Sequence, residues 1–449
     1  MLTKADIQGR LFNVFCVGLY FYFLQLTYRA WVHPFFDYFG MGWYEPGAGI
    51  LTLTWVLNLS AAFFIPTRYE RPSQLCLALQ FLVIFVPATV VCFSSSLPVV
   101  EPGKLVAMIV AMYAGLVVQM GGSYASARFS TAPVDPQIAP EKIFWLFGLL
   151  SVAVLIPGFY VLGGIFQFSS LETLNSQRDL IDQVGLGTFL RYGLVWQAMV
   201  FFPILFATGL MLRGRRRWLA LGACVVGYIL LFGLTATKTV LFAPVIIVGV
   251  FFFLGVRRIP FLGFLALVLT LLICVPYLLA WLQLDLRWQV KYVNLVNYRT
   301  LAVPHLLYVQ YLDFFADHAL TYGSHVKGIS SLIGYPYDEQ ILKIIGEYYY
   351  PGSKMNANAG TWAQDGIAGF GIPGIVMISC VLSGVMFLLD FAARRHDPRW
   401  VGTSLAMLML FLSNASLFTT LLTGGLGLII ILLWLSSPIS WSAAASKRQ

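Results

Sequence analysis

Phe261-Leu-Gly-Phe-Leu-Ala-Leu-Val-Leu-Thr-Leu-Leu-Ile-Cys-Val-Pro-Tyr-Leu-Leu-Ala-Trp-Leu282 carries no charged residue in 22 positions. A hydrocarbon core of about 30 Å is crossed by a helix of about 20 apolar residues, so this stretch reads as a membrane span. Similar runs recur at about 11–29, 48–66, 75–97, 105–122, 143–166, 192–212, 219–236, 239–256, 372–392, 401–418 and 420–437. They do not alternate over ~10 residues as barrel strands do. The chain of 449 residues is 59% hydrophobic and only 10% charged, against about 25% charged in a soluble domain. The expected fold is an all-α polytopic integral membrane protein with about 12 transmembrane helices.

Immediately after this run, the character of the chain changes. Residues 283–371 are the one long segment too polar for a bilayer, with three of the five histidines (His305, His318, His325) and seven of the nineteen acidic residues. The segment also holds Arg287, Lys291, Arg299, Lys327, Lys343 and Lys354. A connection this long within a compact protein is usually functional. A shorter polar segment, 167–191, carries Arg178, Asp179, Asp182 and Arg191.

The net charge of +9 raises the question of nucleic acid, but the basic residues are scattered over short loops. Assigned to alternate loops, 17 of the 28 Lys and Arg fall on one side: Lys4, Arg10, Arg68, Arg71, Arg128, Lys142, Arg213, Arg215, Arg216, Arg217, Arg257, Arg258, Arg394, Arg395, Arg399, Lys447 and Arg448. This is the positive-inside pattern, not a nucleic-acid footprint. It puts both termini in the cytoplasm and segments 167–191 and 283–371 outside, in the periplasm of a Gram-negative cell. An uncleaved first span is expected, since no small-x-small site follows it. All six cysteines lie in apolar runs without metal-ligand spacing and read as small core residues.

Phosphate-loop, dinucleotide and zinc-protease motifs are absent, and no Asp-x-Asp pair stands ready for a divalent ion. No cofactor or metal is expected. The spans are nearly free of ionisable residues, which counts against a proton-coupled carrier. Chemistry is therefore expected at the outer face. Arg178, Arg191, Lys238, Arg287, Lys291 and Arg299 come from three outward segments, and guanidinium groups suit phosphate oxygens. Converging there, they would bind the diphosphate of a lipid-linked sugar and stabilise it as it leaves; headgroup contacts and loop salt bridges are the alternative for any one of them. After Pro304 the sequence reads as a helix in which His305, Val309, Asp313 and Asp317 recur every four residues. His305 is a candidate general base for a sugar hydroxyl, or else a satisfied structural histidine. Asp313, Asp317 and Asp365 compete for the same role. Asn356, Asn358 and Asp365 lie in a Gly-rich run and are candidate sugar partners, unless those glycines serve only a tight turn and close packing.

The 12-span layout, Arg299–Phe315, the turn Gly-Leu-Thr-Ala-Thr-Lys238-Thr and the run Asn356–Gly374, ending Gly369-Phe-Gly-Ile-Pro-Gly374, together resemble the Wzy-type O-antigen polymerases. The resemblance implies a type C glycosyltransferase-like fold, shared with the O-antigen ligases, in the bacterial inner membrane. It implies transfer of an undecaprenyl-diphosphate-linked glycan to another lipid-linked repeat unit, with undecaprenyl diphosphate leaving and inversion at the anomeric carbon. Essential arginines of that family in the two outer loops would correspond to Arg178, Arg191, Arg287 and Arg299. One relative's Arg-x(10)-Gly motif is not kept, because residue 189 is Phe. The implied partners are lipid-linked oligosaccharides, membrane lipids and a chain-length regulator protein. Alternatives are the ligase that moves finished glycan onto lipid A-core, a non-enzymatic flippase or exporter, and other lipid-phosphate glycosyltransferases using Asp37 as base.

Overall fold

The computed structural model describes residues 4–95, 100–129, 140–168, 174–256, 259–326, 329–353 and 355–436. Arg257, Arg258, Lys327, Lys354, Lys447 and Arg448, counted above, lie outside the described residues. Every regular element among the described residues is helical. Nine are long and apolar enough to cross a membrane: Lys4–Phe39, Pro72–Ser94, Pro102–Ser126, Lys142–Ile165, Thr188–Met211, Gly214–Thr235, Lys238–Gly255, Phe261–Trp281 and Trp362–Ala393. This is a multi-pass membrane protein by helix length and hydropathy. Three of the twelve expected spans take other forms. The run at 48–66 is the 17-residue helix Ala48–Phe64. The run at 401–418 divides into Pro398–Ser404 and Ala406–Leu412. The run at 420–437 is interrupted at Gly425, whose φ of +94° no helix accommodates.

Four helices widen just before a proline. The wide turns Tyr28–Val32, Phe81–Phe85, Gln197–Phe201 and Asn294–Ala302 precede Pro34, Pro87, Pro203 and Pro304. Proline lacks an N–H and its ring crowds the carbonyl four residues back. A five-residue hydrogen-bonding period moves that carbonyl away and keeps the helix going. The consequence is largest around Pro304, where Leu286–Val293, Asn294–Ala302 and Val303–Asp317 run on as one helix. It begins at Leu286, not after Pro304 as the sequence suggested, because the wide turns absorb the proline.

This helix is wedged into the bundle. Tyr292 and Asn297 donate to the carbonyls of Leu272 and Ile273 at 2.8 and 3.1 Å. The Tyr298 ring stacks on Phe36 at 4.1 Å, and further along every residue from Pro304 to Leu312 is buried. The 283–371 segment is thus largely folded structure packed on the spans, not a hanging loop.

The Gly-rich run folds as a helical hairpin. Phe370 (φ −145°) and Gly371 (φ +66°) break Trp362–Ala393 into two arms. The arms cross so closely that a Cβ on Gly366 would lie 2.6 Å from the carbonyl carbon of Gly374. The short arm returns Trp362 to the interior, where its indole N–H donates to Gln80 at 2.9 Å. The long arm packs on Pro102–Ser126 through small residues, Gly115 on Ser379 and Gly122 on Ser383.

Two polar faces result. On the face of the N-terminus, Arg10 donates to Phe63, Phe261 to Thr67 and Ser126 to Asp390. Residues 37–41, the turn 236–238 and most of 283–361 lie at the opposite face.

Candidate functional site

The face opposite the N-terminus gathers charge at the turn between Gly214–Thr235 and Lys238–Gly255. The first helix ends in Ala236 with a φ of 50°, a left-handed conformation that only tight context imposes on alanine. The helix Leu174–Val184 docks on this turn. Gln177 donates to the Gly233 carbonyl at 2.7 Å and Arg178 Nε to the Ala236 carbonyl at 3.0 Å. Lys238 begins the next helix, near enough to feel the charges of both Arg178 and Arg299. Arg299 comes from the wide turns of the long helix. Three cations from three separated segments are therefore brought together. Lys238 and Arg299 have no carboxylate within ion-pair distance among the described residues. Like charges held together repel, and an arriving dianion relieves that repulsion.

Two other basic candidates lie farther back on the helix that carries Arg299. Arg287 and Lys291 are exposed on the same helix as Arg299, about 18 and 12 Å back along its axis at ~1.5 Å per residue. The Lys291 ammonium lies over the Trp288 ring, 5.1 Å from its centre. Arg191 is exposed on Thr188–Trp196.

The acid and base candidates separate more sharply. His305 is wholly buried, with Nδ1 2.6 Å from the Leu301 carbonyl of its own helix. Its Nε2 is buried without a hydrogen-bond partner among the described residues. The stripe that sequence spacing drew through it runs from the buried core at His305 and Val309 to the exposed Asp317. Asp313 is half-buried and accepts the Tyr349 hydroxyl. Burial first, and the neighbouring carboxylate second, raise the Tyr349 hydroxyl far above its ordinary range, so the tyrosine stays a proton donor. Asp37, the base of the alternative reading, lies 3.8 Å from His33.

Asp365 sits at the start of the short hairpin arm. Its Oδ2 accepts the Ser416 hydroxyl at 2.9 Å and the Leu417 N–H at 2.8 Å. Its Oδ1 faces His325 Nε2 at 3.7 Å, and the two side chains are only 8% and 11% exposed. The hydrogen bonds define the ring's state. Thr321 donates its hydroxyl proton to the Ala368 carbonyl at 2.9 Å. Its oxygen, 2.7 Å from His325 Nδ1, must then accept from Nδ1–H. Nε2 of the neutral ring then turns its lone pair toward the carboxylate. Gln364, beside Asp365, donates to the Pro304 carbonyl at 3.1 Å, which ties the short arm to the helix that carries Arg299. His325 carried no local sequence signal, its partner being forty residues away.

Asn356 and Asn358 are exposed beside the helix Ile341–Tyr349, where Ala357 N–H donates to the Leu342 carbonyl at 2.9 Å. Among the described residues no group of three metal-ligating side chains occurs. No family model, curated protein or solved structure matches this chain.

Proposed function

We propose that the protein is a membrane glycosyltransferase that polymerises lipid-diphosphate-linked oligosaccharide repeat units at the outer face. The observation that carries the reading is the convergence of Arg178, Lys238 and Arg299 beside a turn. A diphosphate is the ligand whose charge and oxygens such a cluster suits, and a lipid carries it to a membrane face. The acceptor hydroxyl oxygen attacks the anomeric carbon of the donor, and the bond from that carbon to the diphosphate oxygen breaks, with inversion. The hydroxyl proton passes to the Asp365–His325 pair, and the diphosphate leaves carrying the bonding electrons, its growing charge met by the three cations. The positive-inside bias puts this face in the periplasm and both termini in the cytoplasm, for a protein of the bacterial inner membrane.

The test is deletion of the gene in its host with lipopolysaccharide resolved on a gel. Core bearing a single repeat unit, with the ladder lost, supports the polymerase. Bare core with lipid-linked polymer accumulating would make the protein a ligase, and an unchanged ladder would remove both.

A further inference from the structure

On the face that carries the N-terminus, a cavity of about 140 Å³ opens where the ends of several helices meet, lined among others by Glu70, Arg71, Asp390, Arg394 and His396. Its polar groups are fixed. Asp390, 4% exposed, accepts Ser73 N–H at 2.9 Å through Oδ1 and the Ser126 hydroxyl at 2.6 Å through Oδ2. The Ser73 hydroxyl approaches it as well, and a carboxylate has about four acceptor positions, so one remains. Arg71 Nη1 donates to the Ser123 carbonyl and the Ser126 hydroxyl at 2.9 and 3.1 Å. The Arg394 guanidinium lies over the Phe391 ring, 3.8 Å from its centre.

His396 closes the back of the cavity. It is 6% exposed, and its Nε2 sits 3.1 Å from the Leu433 carbonyl and 3.2 Å from the Ser436 hydroxyl. A carbonyl only accepts, so Nε2 carries the proton. Nδ1 is enclosed by protein and does not face the cavity. Burial first, with Arg395 adding to it and the Leu433 carbonyl opposing, lowers the His396 pKa from its ordinary value.

The lining therefore offers two guanidinium groups and two carboxylates. Arginine forks take a phosphate; carboxylates take a group with several N–H donors. We propose that this cavity binds the headgroup of a phospholipid carrying both a phosphate and a primary ammonium, of the phosphoethanolamine type. Basic pockets between helices at a membrane face hold lipid headgroups, and here the carboxylates select against a purely anionic one. A trimethylammonium headgroup has no N–H for the carboxylates, and a glycerol headgroup has no cation for Asp390 and Glu70. The site lies on the face opposite Arg178, Lys238 and Arg299 and does not depend on the proposed polymerase activity.

The experiment is native mass spectrometry and thermal unfolding of the full-length protein with phosphatidylethanolamine, phosphatidylcholine and phosphatidylglycerol of identical chains. The expected result is about tenfold tighter retention of phosphatidylethanolamine, the effect of one charge-assisted hydrogen bond, with a matching rise in unfolding temperature. Arg394→Gln, at the half-buried rim, and Glu70→Gln should each remove most of that preference while the protein stays folded. Equal retention of the three lipids, tighter retention of phosphatidylglycerol, or a preference unchanged in both variants would overturn the assignment. Soluble O-phosphoethanolamine separates the sources: stabilisation by it as great as by the lipid would make the ligand a free metabolite and overturn the lipid assignment.

Discussion

Gly366 and Gly374 touch backbone to backbone, and this crossing turns the Gly-rich run into a hairpin. A methyl group on Gly366 would enter the space of Gly374, where neither backbone yields without moving an arm. Gly366→Ala should therefore lose at least the 1–3 kcal/mol, roughly, of an overpacked core, seen as a lower unfolding temperature and poor recovery from membranes. Gly384, on the same helix with open space around its Cβ position, is the control. Gly384→Ala should be neutral or slightly stabilising, as alanine is in helices. Equal behaviour of the two variants would contradict the hairpin.

Arg299→Ala should abolish polymer formation while the protein still inserts and folds, because the side chain is exposed. Loss of one preorganised charge at a transition state costs about 10²–10³ in rate. Arg299→Lys keeps the charge and loses the fork, so it should retain part of the activity. Full polymer in the Ala variant would take Arg299 out of the site.

Asp365→Asn keeps an oxygen for Ser416 and Leu417 but cannot take up the acceptor's proton. Turnover should fall by about 10²–10⁴, with unfolding temperature little changed. His325→Gln should fall similarly. A variant as active as the parent would return Asp365 to the structural role its contacts with Ser416 and Leu417 also allow.

His305→Gln tests the opposite expectation. The buried ring bonds its own helix, so the variant should lose stability while each folded molecule keeps its turnover within about threefold, well short of the loss expected from removing a general base. Turnover lost at unchanged unfolding temperature would restore His305 as the base.

Much of this was legible in the residues. The run that reads as a span over 261–282 is the helix Phe261–Trp281, because apolar length alone determines that outcome. That Arg178, Lys238 and Arg299 come from three outward segments was also readable; that they meet at one turn while Arg287 and Lys291 do not was not, since their convergence depends on how the long helix crosses the bundle. The hairpin stayed hidden because Gly366 and Gly374 are two among many glycines, and only their contact distinguishes them. The burial of His305 stayed hidden for a related reason: a four-residue spacing shows that side chains share a face, but not whether that face meets protein or water.

The most direct measurement is polymerisation by the purified protein in liposomes supplied with the host's lipid-diphosphate-linked repeat unit, with product length read by gel and mass spectrometry. The account predicts a ladder of lipid-linked polymer from the native protein and unreacted single units from Arg299→Ala. Single units left unreacted by a folded native protein, or a full ladder from the variant, would contradict it.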